Sequence, residues 1–288
     1  MSILSQQDFV RSLLSLCAWL ALLSAVFVTL ERLFALRPAR VLRPGFAADL
    51  AYYFLSSLLP GVLLSAPLGL LAWAAHAMLP GAWHGGVAAL PLWARIAAVF
   101  VVGQVGFYWG HRWSHEVPWL WRFHAIHHSA EHVDWLVNTR AHPLDMVFER
   151  LCGLVPLYVL GLAGPGSAGG AADKMPVMLL LVGTAWGFFI HANVRWRFGP
   201  LEWLVATPAF HHWHHTNDAH DRDRNYAAML PVLDRIFGTL HLPRGWPEVY
   251  GVDKPVGGTL AQQLVGPLLP DRPSHGQGAR PPAAPMPD

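Results

Sequence analysis

Charged residues are scarce in this sequence. Asp, Glu, Lys and Arg make up 13% of the 288 residues, and hydrophobic residues make up 53%. Soluble domains usually carry about 25% charged residues. The formal net charge of +2 is small and its arginines lie near the ends of hydrophobic stretches, which argues against nucleic-acid binding. This composition predicts an integral membrane protein.

Cysteine is also rare. Cys17 and Cys152 are the only two, and both lie in apolar stretches. Isolated apolar thiols are typical packing residues, so we expect neither a disulfide framework nor a cysteine metal site. The HExxH motif is missing as well, which argues against a membrane zinc protease.

Five apolar stretches are long enough, or nearly so, to cross a membrane as helices. They are residues 13–30, 51–79, 87–110, 147–164 and 175–191. We predict that the first is a retained span rather than a cleaved signal peptide, because Arg11 is the only basic residue before it and no small-residue cleavage site follows. The second contains Pro60 and Pro67, so it is either one kinked span or a re-entrant hairpin.

Arginines crowd residues 32–43 and recur in residues 111–146 and beyond residue 192. By the positive-inside tendency these three segments are cytoplasmic. A single crossing by residues 51–79 gives five spans and places every histidine cluster on that face. A hairpin would put the two basic loops on opposite faces, which the charge distribution disfavours. We predict an all-α bundle of about four to five spans with a cytosolic cap.

Histidine is abundant, and eight of the 17 histidines recur at helical spacing. They are His111 and His115; His124, His127 and His128; and His211, His214 and His215. Residues three or four apart share one face of a helix, and neutral imidazole binds zinc, copper, iron and nickel. Pro118 and the pair Thr207–Pro208 are typical helix starts just before the second and third clusters. We therefore predict that these helix ends converge on metal, with two ions as the working number.

Two single histidines are further candidate ligands. His191 ends the fifth apolar stretch at the expected depth of the clusters, where a polar residue is usually functional. His142 follows Arg140 in the first basic segment. His212 is a weaker candidate, and we expect the remaining single histidines to be interfacial or solvated.

Six motifs resemble, in the same order, those of the fatty acid hydroxylase/sterol desaturase superfamily of membrane di-iron enzymes. They are GHRWSH, FHAIHHS, TRAHP, HANVRW, FHHWHH and NYAAMLPVLDRIFGT, which run from Tyr108 to Thr239. The resemblance implies that the eight clustered histidines, with His191 added, hold two iron ions. His212 departs from the arginine that is common in the family at its position. Four nearby acids are candidate hydrogen-bond acceptors that could orient the imidazoles: Glu131, Asp134, Asp145 and Asp234. The alternative for each of them is a solvated side chain or a helix cap.

The resemblance also implies an enzyme that uses dioxygen to hydroxylate or desaturate an unactivated C–H bond of a lipid or sterol-like substrate. We expect no catalytic residues beyond the metal ligands. The sequence contains no cytochrome b5-like domain, so we expect electrons from a separate electron-transfer protein. The alternatives left open are a histidine-rich membrane metal transporter and a zinc-dependent membrane hydrolase.

Three segments are predicted along the chain. Residues 1–45 form an N-terminal span with its basic loop, and residues 46–250 form a membrane-embedded catalytic domain of hydroxylase or desaturase type. Residues 251–288 form a tail that we expect to be largely disordered. From about Leu268 onward the tail is rich in Pro and Gly and lacks apolar periodicity.

Overall fold

The residues described by the structure are all-helical, without named strands. The structure is a computed structural model and describes residues 6–163 and 175–269. Helices α1 (Gln6–Phe34), α2 (Phe46–Met78) and α4 (Leu92–Glu116) are each long and apolar enough to cross a membrane. At 1.5 Å per residue, each exceeds the hydrocarbon thickness of about 30 Å. The predicted all-α membrane fold is confirmed.

The second apolar stretch is one continuous helix. α2 runs for 33 residues through Pro60 and Pro67. Of the two readings left open by the sequence, the structure therefore supports the single helix and not the hairpin. The end of α1 and the start of α2 lie at the end of the bundle that carries the clustered histidines, called the histidine-bearing end below. There the Leu36 amide, just after α1, donates to the carbonyl of Asn193 at 3.0 Å.

The third apolar stretch differs from its prediction. The stretch was predicted to begin at residue 87, but residues 87–89 belong to a separate short helix, α3 (Gly81–Ala89). Pro91 then separates α3 from α4, because a proline disfavours helical backbone in the preceding residue, and Leu90 is extended. At its other end α4 continues past Gly110 to Glu116, as the helical spacing of His111 and His115 predicts. The last turns of α4 therefore carry two of the predicted ligands.

Two shorter helices complete the bundle. They are α6 (Pro143–Val159) and α7 (Met175–His191), of 17 residues each. α6 runs away from the histidine-bearing end, and at the far end the Trp83 indole donates to the Leu160 carbonyl at 2.9 Å. α7 returns and ends at His191. At about 26 Å each, these helices are slightly shorter than the hydrocarbon layer.

α4 and α6 pack with their backbones unusually close. A Cβ atom added at Gly110 would lie 2.7 Å from the Cys152 Cβ, and one added at Gly106 would collide with the Cys152 carbonyl. Side chains larger than hydrogen cannot fit at these positions without separating the helices. The contact fixes the position of α4 relative to α6, and with it the position of the histidines near the end of α4.

The cap beyond the membrane helices is built from short helices, and the sequence predicted where two of them start. α5 (Pro118–His128) begins with Pro118 in its first turn. α8 (Pro208–His214) begins after Thr207, whose side chain accepts a hydrogen bond from the Phe210 amide. The other short elements are the 3-10 turns Trp135–Thr139, Gly199–Trp203 and Gly266–Leu268, and the helix α9 (Val232–Ile236).

The first half of the predicted tail is structured. Residues 251–269 contain α10 (Leu260–Val265), which starts with a reciprocal capping box between Thr259 and Gln262. Gln263 in this helix is buried. The prediction of disorder for the Pro-rich residues 270–288 concerns a segment outside the described residues.

Candidate metal centre

Nine of the ten predicted ligands come together in two groups. The five-histidine group contains His111, His115, His124, His128 and His214. The four-histidine group contains His127, His191, His211 and His215. Within each group the candidate ligand nitrogens all lie within 4.8 Å of one another. The predicted convergence of helix ends therefore produces two adjacent sites.

The spacing HxxHH, which residues 124–128 and 211–215 share, explains why there are two groups. Adjacent residues on a helix point about 100° apart, so the paired histidines of each motif face different sites. On α5, His128 joins the five-histidine group and His127 the four-histidine group. On α8 and its C-cap, His214 and His215 divide in the same way. The rings of His128 and His215 stack at 4.5 Å, so the two groups share a wall.

The four-histidine group has the nitrogen spacing of a coordination site. The His191 Nε2 lies 2.9 Å from that of His211, 3.1 Å from that of His215 and 3.2 Å from that of His127. Two nitrogens that bind one ion at about 2.1 Å lie about 3.0–3.4 Å apart, depending on the angle at the metal. The spacing therefore fits a single ion held by several imidazoles.

The five-histidine group contains buried nitrogens that need a ligand. The Nε2 atoms of four of its members have no hydrogen-bond partner among the described residues: His115, His124, His128 and His214. A buried polar atom without a partner costs about 1–3 kcal/mol. A cation that accepts four lone pairs would satisfy all of them, so the donor set fits a metal ion.

Hydrogen bonds at the other ring nitrogen orient most of the histidines. Four Nδ1 atoms donate to backbone carbonyls at 2.7–3.1 Å: His111 to Tyr226, His127 to Arg140, His191 to Gly187 and His214 to Arg224. A proton held on Nδ1 leaves the lone pair on Nε2, which faces the centre of its group. The backbone thus selects the tautomer that binds metal.

Two further histidines donate to carboxylates. The His124 Nδ1 lies 2.9 Å from Asp145 Oδ2, and the His115 Nδ1 lies 3.1 Å from Asp223 Oδ1. Glu149, one turn after Asp145 on α6, lies 3.7 Å from the same His124 nitrogen. Asp145 was predicted as an acceptor. Asp223 and Glu149 were not.

Among the described residues, the other predicted acceptors make no direct hydrogen bond to a histidine side chain. Asp234 accepts from the Tyr226 and Ala227 amides at 2.7 and 3.0 Å and so holds the carbonyl that accepts from His111. Asp134 binds Arg43 instead of a histidine. In the part of the chain that the structure describes, no hydrogen bond or ion pair joins Glu131 to a histidine.

A buried ionic network supports His127. Asp49 binds Arg140 Nε at 2.5 Å and Arg43 Nη1 at 2.8 Å, and Arg43 also binds Asp134. The network fixes Arg140, whose carbonyl accepts from His127. The predicted basic loop therefore contributes Arg43 to the structural support of the site.

Most of the cap histidines are neutral in this environment. Burial lowers the pKa of His127, His128, His211 and His215 well below the usual value, and the pKa of His214 to about 3. For His124, burial lowers the pKa, but the Asp145 carboxylate outweighs it and the pKa is raised. Neutral imidazole is the form that binds metal.

His142 lies outside both groups. Its Nδ1 accepts from the Leu144 amide at 3.1 Å as the N-cap of α6, and its Nε2 donates to the Leu264 carbonyl at 3.0 Å. Both ring nitrogens are therefore engaged away from the two groups. The proline that follows, Pro143, is a helix-start signal that agrees with the capping role. His212 also lies outside, between Tyr250 and Ala192.

A cavity of about 1120 Å³ reaches the five-histidine group. His115, His128 and His214 lie on its inner wall, and residues 251–269 supply much of the opposite wall. Its outer part carries the ion pair between Arg222 and Asp253, 2.9 Å apart. A large molecule with a polar end has room beside the histidines.

The sequence matches a known family over the region that contains these groups. The fatty acid hydroxylase family model matches residues 96–239, half of the chain, and this range includes all nine grouped histidines. The chain belongs to the fatty acid hydroxylase family.

The chain is also similar to three proteins of named activity. An ornithine lipid hydroxylase, OlsE, from Rhizobium tropici is 34% identical over 181 residues, which cover 62% of this chain and 50% of that protein. Alkylglycerol monooxygenase from Homo sapiens is 33% identical over 159 residues, 55% of this chain and 33% of that protein.

A very-long-chain aldehyde decarbonylase, GL1-5, from Oryza sativa subsp. indica is 31% identical over 186 residues, 60% of this chain and 28% of that protein. The chain thus spans half or less of the length of these relatives. No solved structure matches it significantly.

Proposed function

We propose that this protein is a membrane oxygenase that uses dioxygen and two iron ions to hydroxylate an unactivated C–H bond of a lipid. The observation that carries the proposal is the pairing of the two histidine groups, each with a set of Nε2 atoms directed at one point. Purely imidazole donors at this density suit a first-row transition metal.

The relatives support the lipid substrate and the type of reaction. Those named above include an ornithine lipid hydroxylase and an alkylglycerol monooxygenase. Both names describe insertion of oxygen into a lipid, so we propose hydroxylation in preference to desaturation. A sterol-like substrate is the remaining option within the same class.

The chain's own residues would hold the metal and position the substrate. Bound iron would supply the activation of dioxygen and the abstraction of hydrogen. The Nδ1 acceptors keep the imidazoles in the metal-binding tautomer. The cavity would admit the lipid to the five-histidine side, with its polar end near Arg222 and Asp253. The position of the site at the ends of the membrane helices would let an apolar chain enter from the bilayer.

We propose a cytoplasmic location for the site and a separate electron-transfer protein as reductant. The basic loop, the start of α2 and the histidine groups share one end of the bundle. The positive-inside tendency assigns that end to the cytoplasm.

The alternative functions fit the geometry less well. A metal transporter is expected to bind its ion near the bilayer midplane on interrupted helices. Here the ligands lie at helix ends and in the cap beyond them. A zinc protease of the HExxH type uses the glutamate of that motif as its base, and the sequence has no such motif. Two of the nearby acids, Asp145 and Asp223, are hydrogen-bonded to histidines.

The test is incorporation of heavy oxygen from labelled dioxygen. The purified full chain, loaded with ferrous iron, is placed in vesicles of phospholipid and ornithine lipid with a chemical reductant. Mass spectrometry of the lipids is expected to show a hydroxylated product that carries one labelled oxygen atom.

The His127→Ala variant is expected to lose this activity. His220→Ala, an exposed position outside both groups, is the matched control and is expected to retain it. The proposal is overturned if the iron-loaded protein forms no labelled product with these lipids, with an alkylglycerol or with a sterol.

A further inference from the structure

The two histidine groups differ in the charge of the groups that accept hydrogen bonds from the histidine Nδ1 atoms. In the five-histidine group, His124 donates to Asp145 and His115 donates to Asp223. In the four-histidine group, His127 and His191 donate only to backbone carbonyls. The remaining two members, His211 and His215, have buried Nδ1 atoms without a hydrogen-bond partner among the described residues.

This difference changes the strength of the donors. A carboxylate that accepts the Nδ1 proton makes the imidazole a more basic ligand, and mutation of such partners typically weakens metal binding about 10–100-fold. The carboxylates also place negative charge beside one cation site. A neutral carbonyl provides only a dipole, and an unpartnered Nδ1 provides nothing.

We propose that the two groups are inequivalent metal sites, and that the five-histidine group binds its divalent cation first and more tightly because of Asp145 and Asp223. The proposal rests on the proposed function only in taking both groups as metal sites. It adds an order of loading and assigns two positioning residues to one site.

Asp145 has the larger role of the two. Its side chain is 3% exposed, and the Ser114 hydroxyl donates to its other oxygen at 3.3 Å. Solvent therefore screens its charge little, and the carboxylate is fixed toward His124. Asp223 is 55% exposed and lies in a loop, so water weakens its effect. Replacing Asp145 is expected to weaken binding more than replacing Asp223.

The test is a titration of the metal-free full chain in detergent with cobalt(II), followed by calorimetry and by the visible spectrum of the bound ion. Two phases of one equivalent each are expected. His128→Ala is expected to remove the tighter phase, and His215→Ala the weaker one.

Asp145→Asn keeps an oxygen that can accept from His124 but removes the charge. It is expected to weaken the tighter phase about 10–100-fold and to leave the weaker phase unchanged. Asp223→Asn is expected to act in the same direction with a smaller factor, which also covers the case in which Asp145→Asn fails to fold. Asp218→Asn, an exposed residue outside both groups, is the matched control and is expected to change neither phase.

Two results would overturn the inequivalence alone: two equivalents bound in one phase of equal affinity, or loss of the tighter phase in His215→Ala. Unchanged affinity in both Asp145→Asn and Asp223→Asn would overturn the assigned cause. A chain that binds no cobalt, zinc or iron would overturn the proposed function as well, so the two failures are distinguishable.

Discussion

The Nε2 atoms of His191 and His211 lie 2.9 Å apart, although they belong to different helices, α7 and α8. The His191 Nδ1 already donates to the Gly187 carbonyl, so its Nε2 carries a lone pair. His127 approaches the same nitrogen to 3.2 Å and also holds its proton on Nδ1. Lone pairs from separate helices are therefore directed at one point, where a cation would join the helices.

Metal binding is expected to stabilise the fold. A ligand that binds only the folded state at 100 times its Kd adds about 2.7 kcal/mol at each site. Thermal unfolding in detergent, measured with and without iron(II) or cobalt(II), is expected to show a higher Tm with metal. His191→Ala is expected to lose part of the increase, whereas His220→Ala keeps it. An equal Tm with and without metal would contradict the account.

Asp234→Ala is expected to destabilise the cap. Asp234 is fully buried, and its loss leaves the amides of Tyr226 and Ala227 without their acceptor. At about 1–3 kcal/mol for each of the two buried amides, the loss is expected to reach about 2–6 kcal/mol. Denaturant unfolding measures it, with Asp218→Ala as the exposed control. An unchanged midpoint would show that this loop does not depend on Asp234.

Gly106→Ala is expected to disrupt the packing of α4 on α6. The added Cβ would collide with the backbone around Cys152, whereas a Cβ at Gly183 in α7 meets nothing within 4 Å. Overpacking of this kind typically costs about 1–3 kcal/mol. Gly183→Ala is the matched control and is expected to be neutral or slightly stabilising. Equal Tm values for the two variants would argue against the close helix contact.

The orientation of the bundle can be tested by cysteine labelling in inverted and right-side-out vesicles. Cys17 and Cys152 are first replaced by alanine. A cysteine at His220 in the cap is expected to react with a membrane-impermeant maleimide from the cytoplasmic side. A cysteine at Gly85 in α3 is expected to react from the other side. The reverse pattern would place the histidine groups outside the cytoplasm.

Blocking the cavity is expected to reduce turnover without removing metal. Ala261 lines the cavity beside the structured part of the tail. Ala261→Trp is expected to lower kcat/KM at least about tenfold, which corresponds to about 1.4 kcal/mol in the barrier. Iron content is expected to stay constant. Ala219→Trp, an exposed position that does not line the cavity, is the control. Unchanged kinetics in Ala261→Trp would mean that substrate takes another route.

The sequence predicts the grouped ligands well because their signal is local. Spacings of three and four residues place imidazoles on one helix face, and Pro118 and Thr207 mark where two of those helices begin. The sequence also predicts the apolar helices, since their length and hydropathy do not depend on tertiary contacts. The start of α4 is less predictable, because the break at Pro91 lies inside an apolar stretch. The continuation of α4 past Gly110 is predictable from the helical spacing of His111 and His115.

The sequence indicates almost nothing about which groups accept hydrogen bonds from the clustered histidines. Most Nδ1 acceptors are backbone carbonyls, such as those of Tyr226 and Arg140, and any residue type has a carbonyl. Asp223 lies far from His115 in the sequence and adopts a positive φ of 61°, so only the folded loop brings the two together. For His142, in contrast, the sequence does contain a signal for its structural role. A histidine before a proline, at the start of a helix, is read correctly as a cap once the helix boundary is known.

We propose that nine histidines hold two iron ions in two separate groups. The most direct measurement is the iron content of the full chain after anaerobic loading with ferrous iron and removal of excess metal, combined with Mössbauer spectroscopy. The account predicts two irons per chain in the unaltered protein, and one in each of His128→Ala and His215→Ala. A single iron in the unaltered protein, or two irons retained in both variants, would contradict it.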